Sequence, residues 1–116
     1  MVVHISCEFR YEAAHWLPSV PVGHQCGRMH GHSYHLTVTV SGPVQSDGFV
    51  VDFADVKRAV NPLVDEMDHQ VLNDLLPNPT VENQLVWLWD RLDLPGLSEL
   101  HLRETATNSA VYRGGL

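Results

Sequence analysis

The sequence predicts an α+β domain, a four-stranded antiparallel sheet in the order ββααββ with two helices on one face. Three observations carry this. Residues 2–11 and 30–41 alternate apolar and polar, the period of a half-buried strand. Apolar residues then recur at helical spacing through two stretches that each begin at a capping residue. After Pro95-Gly96 the alternation returns. The 116 residues amount to one domain, read as spanning 1–116.

In the first strand, Val3, Ile5, Cys7, Phe9 and Tyr11 share one face, and His4, Ser6, Glu8 and Arg10 share the other. Residues 17–29 hold prolines and glycines and form a loop. In the second strand, Tyr34, Leu36, Val38 and Val40 follow His32 on one face, opposite Ser33, His35, Thr37 and Thr39. Ser41-Gly42-Pro43 ends it, and Asp47-Gly48 makes a turn. Asp52 caps the first helix, which presents Phe53, Val56, Val60, Leu63, Val64 and Met67. Pro62 predicts a kink or break near Asn61. Thr80 caps a second helix through about Leu92, in which Trp87 and Trp89 are core or interface residues rather than ligand-stacking ones. A third strand covers 97–107, with Leu100, Leu102 and Glu104 on one face, and a short fourth covers 109–113.

Composition narrows the function. Hydrophobic residues are 44% and charged residues 18%, the balance of a globular domain. The net charge of −7 argues against nucleic acid or anionic membrane as the main partner. Eight histidines outnumber seven lysines and arginines, which suggests metal or proton chemistry. With no signal-peptide pattern, no membrane-length apolar run and only two cysteines, the expectation is a cytoplasmic protein with Cys7 and Cys26 reduced.

The chemistry-bearing stretch is Cys26-Gly27-Arg28-Met29-His30-Gly31-His32-Ser33-Tyr34. In a strand, residues two apart point to the same face, so His30 and His32 can reach one ion. Gly31 between them leaves the backbone open to approach. A third histidine completes a site with one open position. His15, in Glu12-Ala13-Ala14-His15-Trp16-Leu17, is the best candidate.

These segments, together with Val51-Asp52-Phe53, Asp68-His69, Leu72-Asn73-Asp74, Asn78-Pro79-Thr80 and Glu104-Thr105, resemble the 6-pyruvoyl-tetrahydropterin synthase / 6-carboxy-tetrahydropterin synthase family. The short gap between Cys26 and His30 is similar to the bacterial 6-carboxy enzymes of the queuosine (7-deazapurine) route. A folate-pathway subgroup carries glutamate where Cys26 stands. Gln70-Val71 departs from the His-Tyr that many relatives carry after the Asp-His pair.

The resemblance implies the tunnelling fold and an oligomer, a trimeric ring of sheets closed into a barrel and stacked into a homohexamer. It implies Zn2+ held by His15, His30 and His32. It implies conversion of 7,8-dihydroneopterin triphosphate to 6-carboxy-tetrahydropterin, with release of acetaldehyde and triphosphate. Cys26 is then the candidate base, Asp68 orients His69 as a proton relay, and Glu104 anchors the pterin through paired hydrogen bonds. Asp68-His69 of one subunit is expected to complete the Cys26 site of its neighbour.

Each residue also has a plainer role open to it. Asp68-His69 can be a solvated helix end, and Glu104 can be an ion-pair partner for Arg113. Arg10, Arg28, Lys57, Arg103 and Arg113 can each bind triphosphate or simply face solvent. Two other functions fit the same residues. One is an enzyme whose product is 6-pyruvoyl-tetrahydropterin. The other is a non-catalytic binding module, with Cys26 as a fourth ligand closing a structural zinc site.

Overall fold

A computed structural model describes residues 1–115. In sequence order it contains β1 (Val2–His15), β2 (His30–Pro43), α1 (Phe53–Met67), β3 (Gln70–Val71), α2 (Val81–Arg91), β4 (Leu97–Glu104) and β5 (Asn108–Tyr112). Single 3-10 turns stand at Gln25–Gly27 and Leu72–Asp74. The sheet order is β3-β1-β2-β4-β5. The α+β class and the ββααββ frame hold, but the sheet has five strands and is mixed. β3 is the addition, two residues running parallel to β1 at Ala13 and Ala14. A strand of two residues has no period to read, so nothing in the sequence marks it.

The long β1–β2 hairpin dominates the sheet. Its register pairs Cys7 with Val38, Phe9 with Leu36 and Tyr11 with Tyr34. The odd-numbered residues of β1 and the even-numbered residues of β2 therefore share a face, and that face is buried beneath the helices. α1 packs on β1, and α2 packs on β4 and β5. Leu36, Val38, Val60, Met67, Leu88, Leu100 and Leu102 are all buried in this layer. The opposite face carries His4, Glu8, Arg10, His35 and Thr37 toward solvent or partial exposure.

The caps act as their residue types require. The Asp52 carboxylate accepts from the Ala54 N–H at 2.9 Å, and the Thr80 hydroxyl accepts from the Asn83 N–H at 3.1 Å. Pro62 does not break α1, which runs on to Met67. The ring lies on the exposed side, so the lost hydrogen bond falls on the solvent face while Leu63, Val64 and Met67 stay buried on the other. Phe53, expected in the apolar stripe, is 47% exposed because the first helical position lies beyond the sheet-covered face. β4 ends at Glu104 rather than 107, and Thr105 adopts a left-handed backbone with φ 61°. Gly96 is required where it stands. Its φ is +82°, and a side chain there would meet the Ser41 carbonyl at 2.7 Å.

Candidate metal centre and active site

β1 extends to His15, which pairs directly with His30 across the hairpin, while His32 lies opposite Ala13. All three histidines thus sit on the helix-covered face, at the end of the hairpin joined by residues 16–29. Their ring centroids lie 4.6 to 5.1 Å apart. One potential ligand atom from each falls within 4.8 Å of the other two, and no cysteine or carboxylate joins that group among the described residues.

Each imidazole is held by one nitrogen. His15 Nδ1 lies 2.8 Å from the Pro79 carbonyl, and His30 Nδ1 lies 2.6 Å from the Arg28 carbonyl. His32 Nδ1 lies 2.8 Å from the Thr105 hydroxyl. A carbonyl can only accept, so Nδ1 of His15 and of His30 carries the proton and Nε2 keeps its lone pair. His32 Nε2 is buried and has no hydrogen-bond partner. Buried nitrogens are normally satisfied, so an unpaired one aimed at two other imidazoles fits a metal ligand. Burial lowers the pKa of His15 and of His32, which keeps both rings neutral near pH 7. The Glu104 carboxylate, 3.6 Å from His32 Nε2 and 3.9 Å from His15 Nε2, therefore faces neutral rings and forms no ion pair with them.

A buried network fixes His15 further. The Tyr11 hydroxyl donates to Gln84 at 2.8 Å, and the Gln84 amide donates to the same Pro79 carbonyl at 3.1 Å. Gln84 is fully buried near the start of α2, and no spacing in the sequence assigns it to the site. Asn78-Pro79-Thr80 contributes through the carbonyl of Pro79, a main-chain role invisible to residue type.

Cys26 is brought to the same place. Its 3-10 turn is tied down by the Leu17 N–H, which donates to the Cys26 carbonyl at 2.8 Å. Cys26 lines a cavity of ≈ 450 Å³ together with His15, His30, His32, Glu104 and Asn108. That volume is within the range of small-molecule sites. Cys26 and Cys7 are both free thiols. Arg113 pairs with Glu99 at 2.9 Å, so Glu104 is not its partner. Trp87 is buried in the core beneath Arg91, and Trp89, partly buried against that core, packs edge-on against Tyr112.

Asp68 and His69 form a pair but stand apart from Cys26. One Asp68 oxygen accepts from the Glu12 N–H at 2.9 Å, and the other lies 2.9 Å from His69 Nδ1. The Glu12 N–H, followed by the His69 side chain, holds the Asp68 carboxyl below its usual pKa. His69 returns the tether, donating its own N–H to the Glu12 carbonyl from a left-handed conformation with φ 58°. His69 lines a second cavity with Glu12, Ala14, Ser33, Gln70 and Val71. Only Gly31 and His32 line both cavities. A side chain on Gly31 would meet nothing closer than the Ala13 carbonyl at 3.6 Å, so the fold of a single subunit does not demand glycine there.

The family model described as 6-pyruvoyl tetrahydropterin synthase matches residues 4–115. The protein is 32% identical over 129 residues to the 6-carboxy-5,6,7,8-tetrahydropterin synthase of Bacillus subtilis, covering 94% of this chain and 86% of that protein. It is 41% identical over 70 residues to the dihydroneopterin monophosphate aldolase of Pyrococcus furiosus, covering 59% of this chain and 60% of that one. The structure of Caenorhabditis elegans 6-pyruvoyl tetrahydropterin synthase superposes with a TM-score of 0.89 at 24% identity, covering 99% of this chain and 97% of that one, and this likeness extends to the fold. With a family match that leaves out only the extreme ends of the sequence, this protein belongs to the 6-pyruvoyl tetrahydropterin synthase family.

Proposed function

We propose that this protein is a zinc-dependent 6-carboxy-tetrahydropterin synthase acting on 7,8-dihydroneopterin triphosphate in 7-deazapurine (queuosine) biosynthesis. The observation that carries this is the convergence of three imidazoles, each with Nδ1 engaged, in one cavity with a free thiol and a carboxylate. His15, His30 and His32 would hold the ion. Three neutral imidazoles on a rigid hairpin suit Zn2+. Bound there, zinc supplies Lewis acidity toward the oxygens of the substrate side chain.

The protein's own groups divide the remaining work. Glu104 accepts hydrogen bonds from the pterin 2-amino group and ring N–H, which orients the substrate tail toward the histidines. Cys26 acts as the base that removes a proton from a carbon of that tail. Asp68 accepts from His69 Nδ1–H, leaving Nε2 free to carry a proton between substrate and solvent. Asp68-His69 opens on a different cavity from Cys26 within one subunit. This separation supports a pair that serves the Cys26 site of a neighbouring subunit, in the closed oligomer of six that the family resemblance implies.

The grouping of three histidines without Cys26 supports a centre with an open position over a closed structural one. The aldolase relative favours a second reading, carbon–carbon cleavage of dihydroneopterin monophosphate. Mass spectrometry after incubation with each phosphate ester separates the two. The first reading predicts 6-carboxy-tetrahydropterin and acetaldehyde from the triphosphate. A pyruvoyl product, or turnover of the monophosphate alone, overturns it.

A further inference from the structure

We propose that Thr105 is a positioning residue for the metal ligand His32, and that its strained backbone is kept for that purpose. The inference rests on the reading of the three histidines as a metal site. Of the three groups that hold Nδ1 atoms, two are main-chain carbonyls, of Pro79 and Arg28. The third, on His32, is the Thr105 hydroxyl at 2.8 Å. It is the shortest contact to the trio that a side-chain substitution removes directly, since the Tyr34 hydroxyl stands farther off, 3.4 Å from His15 Nδ1.

The backbone at Thr105 is unusual for its residue type. A β-branched residue at φ 61° is a genuine outlier, since Cβ crowds the following carbonyl there. Glycine or asparagine would suit the turn between β4 and β5 better. Thr105 is also exposed, so core packing does not call for threonine. What its side chain does in the fold is meet His32. Strain of this kind collects at functional sites, where a neighbouring need outweighs it. Its N–H, donating to the Ser33 carbonyl at 3.2 Å, anchors the turn against β2 next to His32.

The hydroxyl fixes the plane of the His32 ring and keeps Nε2 directed at His15 and His30. Outer contacts of this type are worth about 10- to 100-fold in metal affinity. Because Thr105 is exposed, water can replace part of its hydroxyl's role, and the effect sits near the lower figure, about tenfold.

The test is a competition titration of Zn2+ against a chromophoric chelator on the full-length protein, with thermal unfolding of the metal-free form. Thr105→Val keeps the shape and the strain but loses the hydroxyl, so zinc affinity falls about tenfold. Thr105→Ser restores it. Thr105→Gly relieves the strain, so it lowers zinc affinity while leaving the metal-free melting temperature unchanged or higher. That opposed pair of signs is what a merely structural residue would not produce. Affinities of the valine and glycine variants within twofold of wild type overturn the proposal, as does a glycine variant that loses affinity and melting temperature together. The underlying metal reading fails separately, if the wild-type protein takes up no zinc or His30→Ala takes it up normally.

Discussion

Three side chains and what holds them carry the proposed chemistry. His30 and His32 were legible from their spacing alone, because a strand puts residues two apart on one face. His15 was legible as a candidate, and the register explains it, since it pairs with His30 across the hairpin. The groups that orient the rings were not legible. Pro79 and Thr105 lie more than sixty residues from the histidines they touch, Gln84 lies as far from Tyr11, and two of the ring contacts are carbonyls that any residue supplies. Three predictions belong at this scale. Elemental analysis should find about one zinc per subunit in wild type and in Cys26→Ala, and none in His30→Ala. Zinc lost with the thiol would make Cys26 a ligand and return the binding-module reading. Cys26→Ala should bind substrate yet lose about 10²–10⁴-fold in turnover, measured at saturating substrate. Glu104→Gln should weaken binding of a pterin ligand by about 1–3 kcal/mol in titration calorimetry, because one acceptor becomes a donor facing ring N–H groups.

Among the elements, the caps and the buried stripes were readable from residue type and period. Asp52 and Thr80 cap the helices as expected. What period could not supply was β3, which exists because His69 turns left-handed and lays Gln70–Val71 beside β1. Pro62 does not break α1 because its exposed ring sits in a helix whose other face is held by packing. Pro62→Ala should therefore stabilise the fold by about 2 kcal/mol, the interior-helix cost of proline less the entropy that alanine returns to the unfolded state. A lower midpoint in urea would show that proline is needed in α1. The Asp68 tether gives a pH dependence with a definite sign. Its folded pKa is depressed, so its contribution is present above the unfolded value, near 3.8, and is lost as pH falls through the lower folded value. The stability gap between wild type and Asp68→Ala, measured in denaturant, should be open at pH 7 and closed at the acid end.

At the scale of the whole molecule, the sheet is unfinished. β3 covers β1 only at Ala13 and Ala14, so residues 2–12 of β1 have a strand neighbour on one side alone, and β5 forms the other edge. Open edges of this length invite pairing with another copy, and closing several sheets into a barrel removes them. Among the described residues, no helix is long and apolar enough to cross a membrane. On the proposed function the site is unfinished in the same sense, because Cys26 and His69 line different cavities that share only Gly31 and His32. The separation of the two halves was expected from the family resemblance alone, since neither period nor spacing says which cavity a side chain lines. The most direct test of a site shared between subunits is to co-refold two inactive variants, Cys26→Ala and His69→Ala. Random pairing in a symmetric oligomer leaves about a quarter of the interfaces with both wild-type groups, so about a quarter of wild-type activity should return. A mixture that stays inactive after subunit exchange has been demonstrated by mass spectrometry would contradict it and put both groups to work, if at all, within a single subunit.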